Sequence, residues 1–96
     1  MQLARVIGTV VSEKKDPALE GLKFLLLRLL DVENNEQTAH LVAVDAVGAG
    51  RDDVVMFATG SSARQTTVTK NRPCDAVVMA IVDEWEIEGT VRYRKS

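Results

Sequence analysis

Cysteine is all but missing from this sequence. Cys74 stands alone, which excludes an intrachain disulfide and any metal cluster made of cysteines only, and which fits a reducing compartment. Histidine is equally scarce: His40 has no acid or cysteine at ligand spacing beside it and reads as a strand residue rather than a catalyst or metal ligand. Aromatics make up 4% of the chain, namely Phe24, Phe57, Trp85 and Tyr93, and the net charge is −2 from 12 basic and 14 acidic residues. A surface that gathers single-stranded nucleic acid combines a basic groove with stacked aromatics. This composition supplies neither, nor a field that would hold anionic lipid. Long apolar runs are missing as well: the longest, Phe24 to Leu30, is broken by Arg28 and falls far short of the roughly 20 residues of a membrane span. The opening Met1-Gln2-Leu3-Ala4-Arg5 carries no basic leader or apolar signal core, so the expectation is a soluble cytoplasmic protein without a membrane partner.

What is present is small aliphatic bulk. Hydrophobic residues reach 46%, and with so few aromatics the core must be built of Val, Leu, Ile and Ala, which favours strands and leaves apolar surface for a partner subunit. Ninety-six residues make one domain, 1–96, and a chain of this size buries only about 60–70% of the surface its unfolded form exposes.

The spacing of β-branched residues and turn signals predicts five strands. Leu3 to Ser12 is the first, with Gly8 marking a bend or a close backbone approach. A polar connector with Lys14, Lys15 and Pro17 leads to Leu22–Val32, whose leucines would also suit a helix but whose polar turn Glu33-Asn34-Asn35-Glu36 points to a hairpin. Ala39–Val47, Val54–Thr59 and Asp75–Glu84 follow, with a helical turn at Ser61–Arg64 and a polar link over Gln65–Pro73 before the last of them. Residues 85–96 read as an extra strand or a tail. Five short strands and one short helix before the last strand, with no room for a second layer, give an all-β fold: a small five-stranded β-barrel whose closure removes unpaired edges.

The stretch Val42 to Arg64 organises the rest. Its two apolar runs flank Gly48-Ala49-Gly50 and Arg51-Asp52-Asp53, which reads as two strands joined hairpin-fashion by a glycine-dependent loop. Gly60-Ser61-Ser62-Ala63-Arg64 then reads as a strand release followed by serine-capped helix. Neither segment carries catalytic chemistry. The serines lack Gly-x-Ser-x-Gly and an acid–histidine pair. The glycine loop lacks the third glycine of a dinucleotide site and the Gly-Lys-Ser/Thr of a phosphate loop, so no cofactor is expected. Cys74 has no local base, and Asp31, Asp45, Asp52, Asp53, Asp83 and Glu84 sit at strand ends, where solvated charges belong.

Five segments in order carry a family resemblance: Gly8-Thr9-Val10-Val11-Ser12 with Lys14-Lys15, Leu19 to Leu26, Val44-Asp45-Ala46-Val47-Gly48-Ala49-Gly50, Gly60 to Arg64, and Asp75-Ala76-Val77-Val78 leading to Ile81-Val82-Asp83. Together they resemble the pentameric vertex proteins of bacterial microcompartment shells, the EutN/CcmL family. The chain departs from that pattern at Asp52, where the family's loop has glycine; aspartate tolerates the left-handed backbone better than most residues. The resemblance implies an oligonucleotide-binding-like (OB-like) barrel and a structural, non-enzymatic role as a homo-pentamer that meets hexameric shell proteins in the microcompartment shell. It points to Gly48, Ala49, Gly50, Asp52, Asp53, Gly60, Ser61, Ser62, Ala63 and Arg64 as residues of the subunit interface, the central pore or the shell contact. The alternative is an OB-like nucleic-acid-binding module, which salt-sensitive binding to single strands would reveal.

Overall fold

The computed structural model describes all 96 residues, Met1–Ser96. Seven strands run in chain order: β1 (Gln2–Val10), β2 (Phe24–Leu30), β3 (Glu36–Asp45), β4 (Val54–Thr59), β5 (Ala76–Ile81), β6 (Glu84–Ile87) and β7 (Thr90–Arg94). The first five close into a barrel in the order β1-β2-β3-β5-β4, the small Greek-key arrangement of an OB-like fold. Closure is antiparallel throughout except where β3 meets β5 in a short parallel ladder, Val44↔Val77 and Asp45↔Val78.

Period-two burial explains why the leucine-rich segment is a strand. Leu25 and Leu27 are fully buried while Leu26 and Arg28 take the other face, an alternation that overrides the helical preference of leucine. The inner faces of β1, β2, β4 and β5 contribute Ala4, Val6, Leu25, Leu27, Val55, Phe57 and Val78 to the main core, and Ala49 is sealed into the same cluster from the β3–β4 loop. A bulge between Val6 and Gly8 shifts the β1–β2 register at the glycine expected to mark a bend. A Cβ at Gly8 would meet nothing within 4 Å, so close approach is not the reason for it.

Three sequence expectations need correction. The runs before and after the glycine loop are not a hairpin: β3 pairs with β2 and β5, β4 with β1 and β5, and the chain between them crosses from one side of β5 to the other. Residues 85–96 are neither one strand nor a tail but most of a second, two-stranded sheet, β6–β7, turning at Glu88 and Gly89, both at positive φ. The helical segment is a 3-10 turn over Gly60–Arg64 with no side-chain cap at its N-terminus, so Ser61 and Ser62 do not cap it.

The β2–β3 turn is built on one carboxylate. Asp31 Oδ1 accepts the N–H groups of Glu33 and Asn35, each at 2.9 Å. The Asn35 amide first of all, with Glu33 adding to it, holds the Asp31 carboxyl below its ordinary value despite some opposing desolvation. A depressed carboxylate contributes stability that is present above its unfolded value and is lost as pH falls through the folded one. The turn should therefore stay ordered below the ordinary pKa of 3.8 and loosen only in stronger acid. A carboxyl-carbon NMR titration checks this; an Asp31 midpoint at or above the ordinary value contradicts it.

Candidate functional site

The loop between β3 and β4 is assembled around a buried carboxylate that the sequence reading placed in solvent. Asp45 ends β3 with its side chain 2% exposed. Its Oδ1 accepts the N–H groups of Val47, Gly48 and Ala49 at 3.0, 3.1 and 3.2 Å, and its Oδ2 faces the Lys23 ammonium at 3.9 Å. Lys23 Nζ also reaches Ala49 O at 3.5 Å. Three amides converging on one oxygen form a concave nest, which needs a left-handed residue to curl the chain, and Gly48 at φ 76° supplies it. The nest drives Ala49 inward until nothing of it is exposed.

The second half of the loop is a turn pinned to β1. Asp53 N donates to Gly50 O, and Gly50 N donates to Asp53 Oδ2 at 2.8 Å. Val6 exchanges main-chain bonds with both Asp52 and Asp53. Asp52 takes φ 75°, the left-handed backbone expected at that position. Asp53 Oδ1 lies 3.5 Å from Lys95, which ties the loop to the segment after β7.

Gly50 itself does not adopt positive φ, and an added Cβ would only touch Asp53 Oδ2 at 4.0 Å. The demanding glycine is Gly48. Gly48→Val should cost about 1–3 kcal/mol, and Gly50→Val well under about 1 kcal/mol. Paired chemical-denaturation curves measure both; equal losses would show that positive φ is not what the loop requires.

The other segment is anchored by a buried threonine that sequence reading did not single out. Thr69 is fully buried; its Oγ1 donates to Ala63 O at 2.6 Å and lies 2.6 Å from Thr66 Oγ1. Ala63 packs beneath the turn against Leu22, Val44, Ala58 and Val77. Gly60 takes φ 67° and donates to Asp75 O. Arg64 spends one guanidinium nitrogen on Cys74 O at 3.1 Å, and Arg72 bonds Ala18 O and Glu20 O, so the link is stitched to its surroundings by arginine–carbonyl bonds. A surface groove of about 350 Å³, lined by Ala46, Val47, Gln65, Thr66, Thr67, Val68 and Met79, brings the start of the glycine loop beside the residues that follow the 3-10 turn. Val47 and Val68 are both exposed there.

Nothing in this arrangement forms a catalytic constellation. His40 Nε2 accepts from the Arg28 guanidinium at 3.1 Å, Arg28 pairs with Glu36, and Arg5 approaches the same carboxylate. Trp85 stacks on Tyr93 with ring centroids 5.3 Å apart, while Phe57 is buried, so these aromatics do not form a platform for bases. No group of three His, Cys, Asp or Glu side chains converges as metal ligands. No helix is long and apolar enough to cross a membrane.

Residues 1–83 match the family model described as "Ethanolamine utilisation protein EutN/carboxysome". The carboxysome shell vertex protein CcmL of Gloeobacter violaceus is 46% identical over 99% of this chain and 95% of its own length, and its solved structure superposes with a TM-score of 0.96. CcmL of a Nostoc species is 49% identical over the same shares. The pentameric microcompartment shell protein GrpN of Rhodospirillum rubrum has a TM-score of 0.82 at 41% identity, covering 91% of this chain and 100% of that one.

Proposed function

The chain belongs to the EutN/CcmL family, and from that membership we propose that it is a structural shell vertex protein: five copies close into a ring that caps a vertex of a polyhedral microcompartment in the bacterial cytoplasm. The observation that carries this reading is the end-to-end match in both directions, in sequence and in barrel geometry, to proteins named as vertex subunits. The physical character of the chain agrees. A small aliphatic barrel with exposed Val10, Val11, Val42, Val47 and Val68 has apolar surface that neighbouring copies can cover. A ring interface of this kind is heterologous, one patch meeting a different one. Around the ring, hexameric shell proteins are the partners that fill the facets.

Within that reading the two loops divide their labour. Ala49 and Ala63, both fully buried, anchor them. Gly48, Gly50, Asp52, Asp53, Gly60, Ser61, Ser62 and Arg64 form the outer part, available to the subunit interface, the central opening or the rim that meets hexamers. Co-production with a hexameric shell protein tests the function: closed polyhedra are expected with this chain and open or elongated assemblies without it. Unchanged closure in its absence removes the reading. Arg64→Glu should leave the far-UV circular dichroism of the barrel intact while reducing ring yield or shell closure, and normal closure by that variant counts against Arg64 as a contact.

A further inference from the structure

The seven arginines of this chain divide into two groups. Four are held closely within it: Arg28 donates to His40 Nε2 and to Glu36 at 3.1 Å, Arg64 to Cys74 O at 3.1 Å and Arg72 to Glu20 O at 2.6 Å, and Arg92 Nε lies 2.7 Å from the Glu33 carboxylate. The other three, Arg5, Arg51 and Arg94, line a single surface groove of about 340 Å³, together with Tyr93 and Lys95.

None of the four cations in that groove is spent on a close partner. Arg5 Nε stays 3.4 Å from Glu36, Arg94 Nε 3.6 Å from Glu84 and Lys95 Nζ 3.5 Å from Asp53. These approaches are longer than the about 2.7–2.9 Å of a charge-assisted hydrogen bond, and exposed pairs of this kind are weak enough for a ligand to replace. Arg51 is exposed and enters no ion pair. Of the two acids beside them, Asp53 already accepts the Gly50 N–H, and exposed Asp52 is the one carboxylate left without a partner.

The main chains that carry these donors are fixed. Val6, next to Arg5, exchanges main-chain bonds with Asp52 and Asp53, which brings β1 against the loop that holds Arg51. Lys95 N donates to Asp83 O at 2.8 Å, and the Tyr93 ring stacks on Trp85, which seats the end of β7. Three separate parts of the chain thus present cations to one space, with little ordering left for a ligand to impose.

We propose that this groove binds a phosphate group, free or carried by a small molecule. The inference goes beyond the shell role and concerns a single chain, so it does not rest on ring formation. A guanidinium fork pairs with two oxygens of an oxyanion at once. A carboxylate offers two oxygens and one charge, whereas a phosphate monoester offers three oxygens and nearly two charges, which suits arginines converging from three elements. The groove exceeds a lone phosphate and falls within the size range of small-molecule sites.

An amide NMR titration of the full chain with inorganic phosphate, at an ionic strength held constant with chloride, tests this. The amides of Arg51, Asp52, Arg94 and Lys95 should shift together and saturate in the millimolar range or below. Combined Arg51→Gln and Arg94→Gln should weaken binding at least about tenfold. Asp52→Asn should tighten it, because asparagine tolerates the same left-handed backbone and removes the unpaired carboxylate. Combined Lys14→Gln and Lys70→Gln takes the same charge from exposed positions that do not line the groove, and should leave affinity within about twofold of wild type. Equal affinity for phosphate and glycerol phosphate assigns the site to the phosphate alone, and tighter binding of the ester assigns it to a carried phosphate. Shifts that never saturate, an equal response to acetate, undiminished binding by the arginine variant, or equal weakening by the lysine variant overturns the proposal.

Discussion

Asp45→Ala should lower the unfolding free energy by about 3–5 kcal/mol, among the largest losses available to one substitution in this chain. The side chain removed is almost wholly buried and accepts three main-chain amides, one of them on the fully buried Ala49. Truncation leaves those donors without an acceptor and Lys23 without its carboxylate, and the cost of an unmet buried donor exceeds the net worth of an ordinary hydrogen bond. For a domain of this size the fall in Tm should be roughly 15 °C or more. Asp45→Asn separates the two contributions, since it keeps an oxygen for the nest but drops the charge opposite Lys23; its loss should be nearer about 1–2 kcal/mol. Thermal scans at one fixed protein concentration measure both, because association shifts the apparent Tm. An Asp45→Ala protein within about 1 kcal/mol of wild type would mean that the loop does not depend on the nest.

The second large effect is at Phe57. It is the largest of the fully buried side chains and sits on β4 opposite Gln2 of β1 and Val78 of β5, in the core that Ala49 closes. With so little aromatic bulk in the chain, no neighbour is large enough to fill the space it vacates. Phe57→Ala should cost about 3–5 kcal/mol, close to the whole stability of a small marginal domain. Phe57→Leu, which keeps most of the volume, should cost under about 1.5 kcal/mol. Urea midpoints distinguish the two, and equal losses would point to the ring itself rather than to the cavity. Ring closure should also partly rescue Phe57→Ala at high protein concentration, since assembly binds the folded state alone.

How much of this was legible beforehand depends on whether the cause is local. The strand character of Leu22–Val32 was, because the run lies between Gly21 and a polar turn that suits a hairpin, although its leucines equally suit a helix; the alternation of buried Leu25 and Leu27 with Leu26 and Arg28 shows only in the fold. The left-handed backbone at Asp52 was also readable from residue type. The pairing of β3 and β4 was not: consecutive strands joined by a glycine loop suggest a hairpin, and the insertion of β5 between them is a long-range choice with no local signature. Asp45 escaped because an acid at a strand end is normally solvated. The signal was present all the same, since an aspartate three residues before Gly-Ala-Gly can gather the amides of its own loop. Ser61 and Ser62 misled for the opposite reason. Serine is a common cap, but here Thr66 and Thr69, several residues downstream, carry the side-chain bonds that hold the turn. The split of residues 85–96 into β6 and β7 rests on Glu88-Gly89, a dipeptide whose glutamate does not advertise positive φ.

The solution mass of the purified full chain, by native mass spectrometry at low micromolar concentration, bears most directly on the claim that this barrel is a ring subunit. A dominant five-subunit species is the expected result. A monomer at every concentration would contradict it.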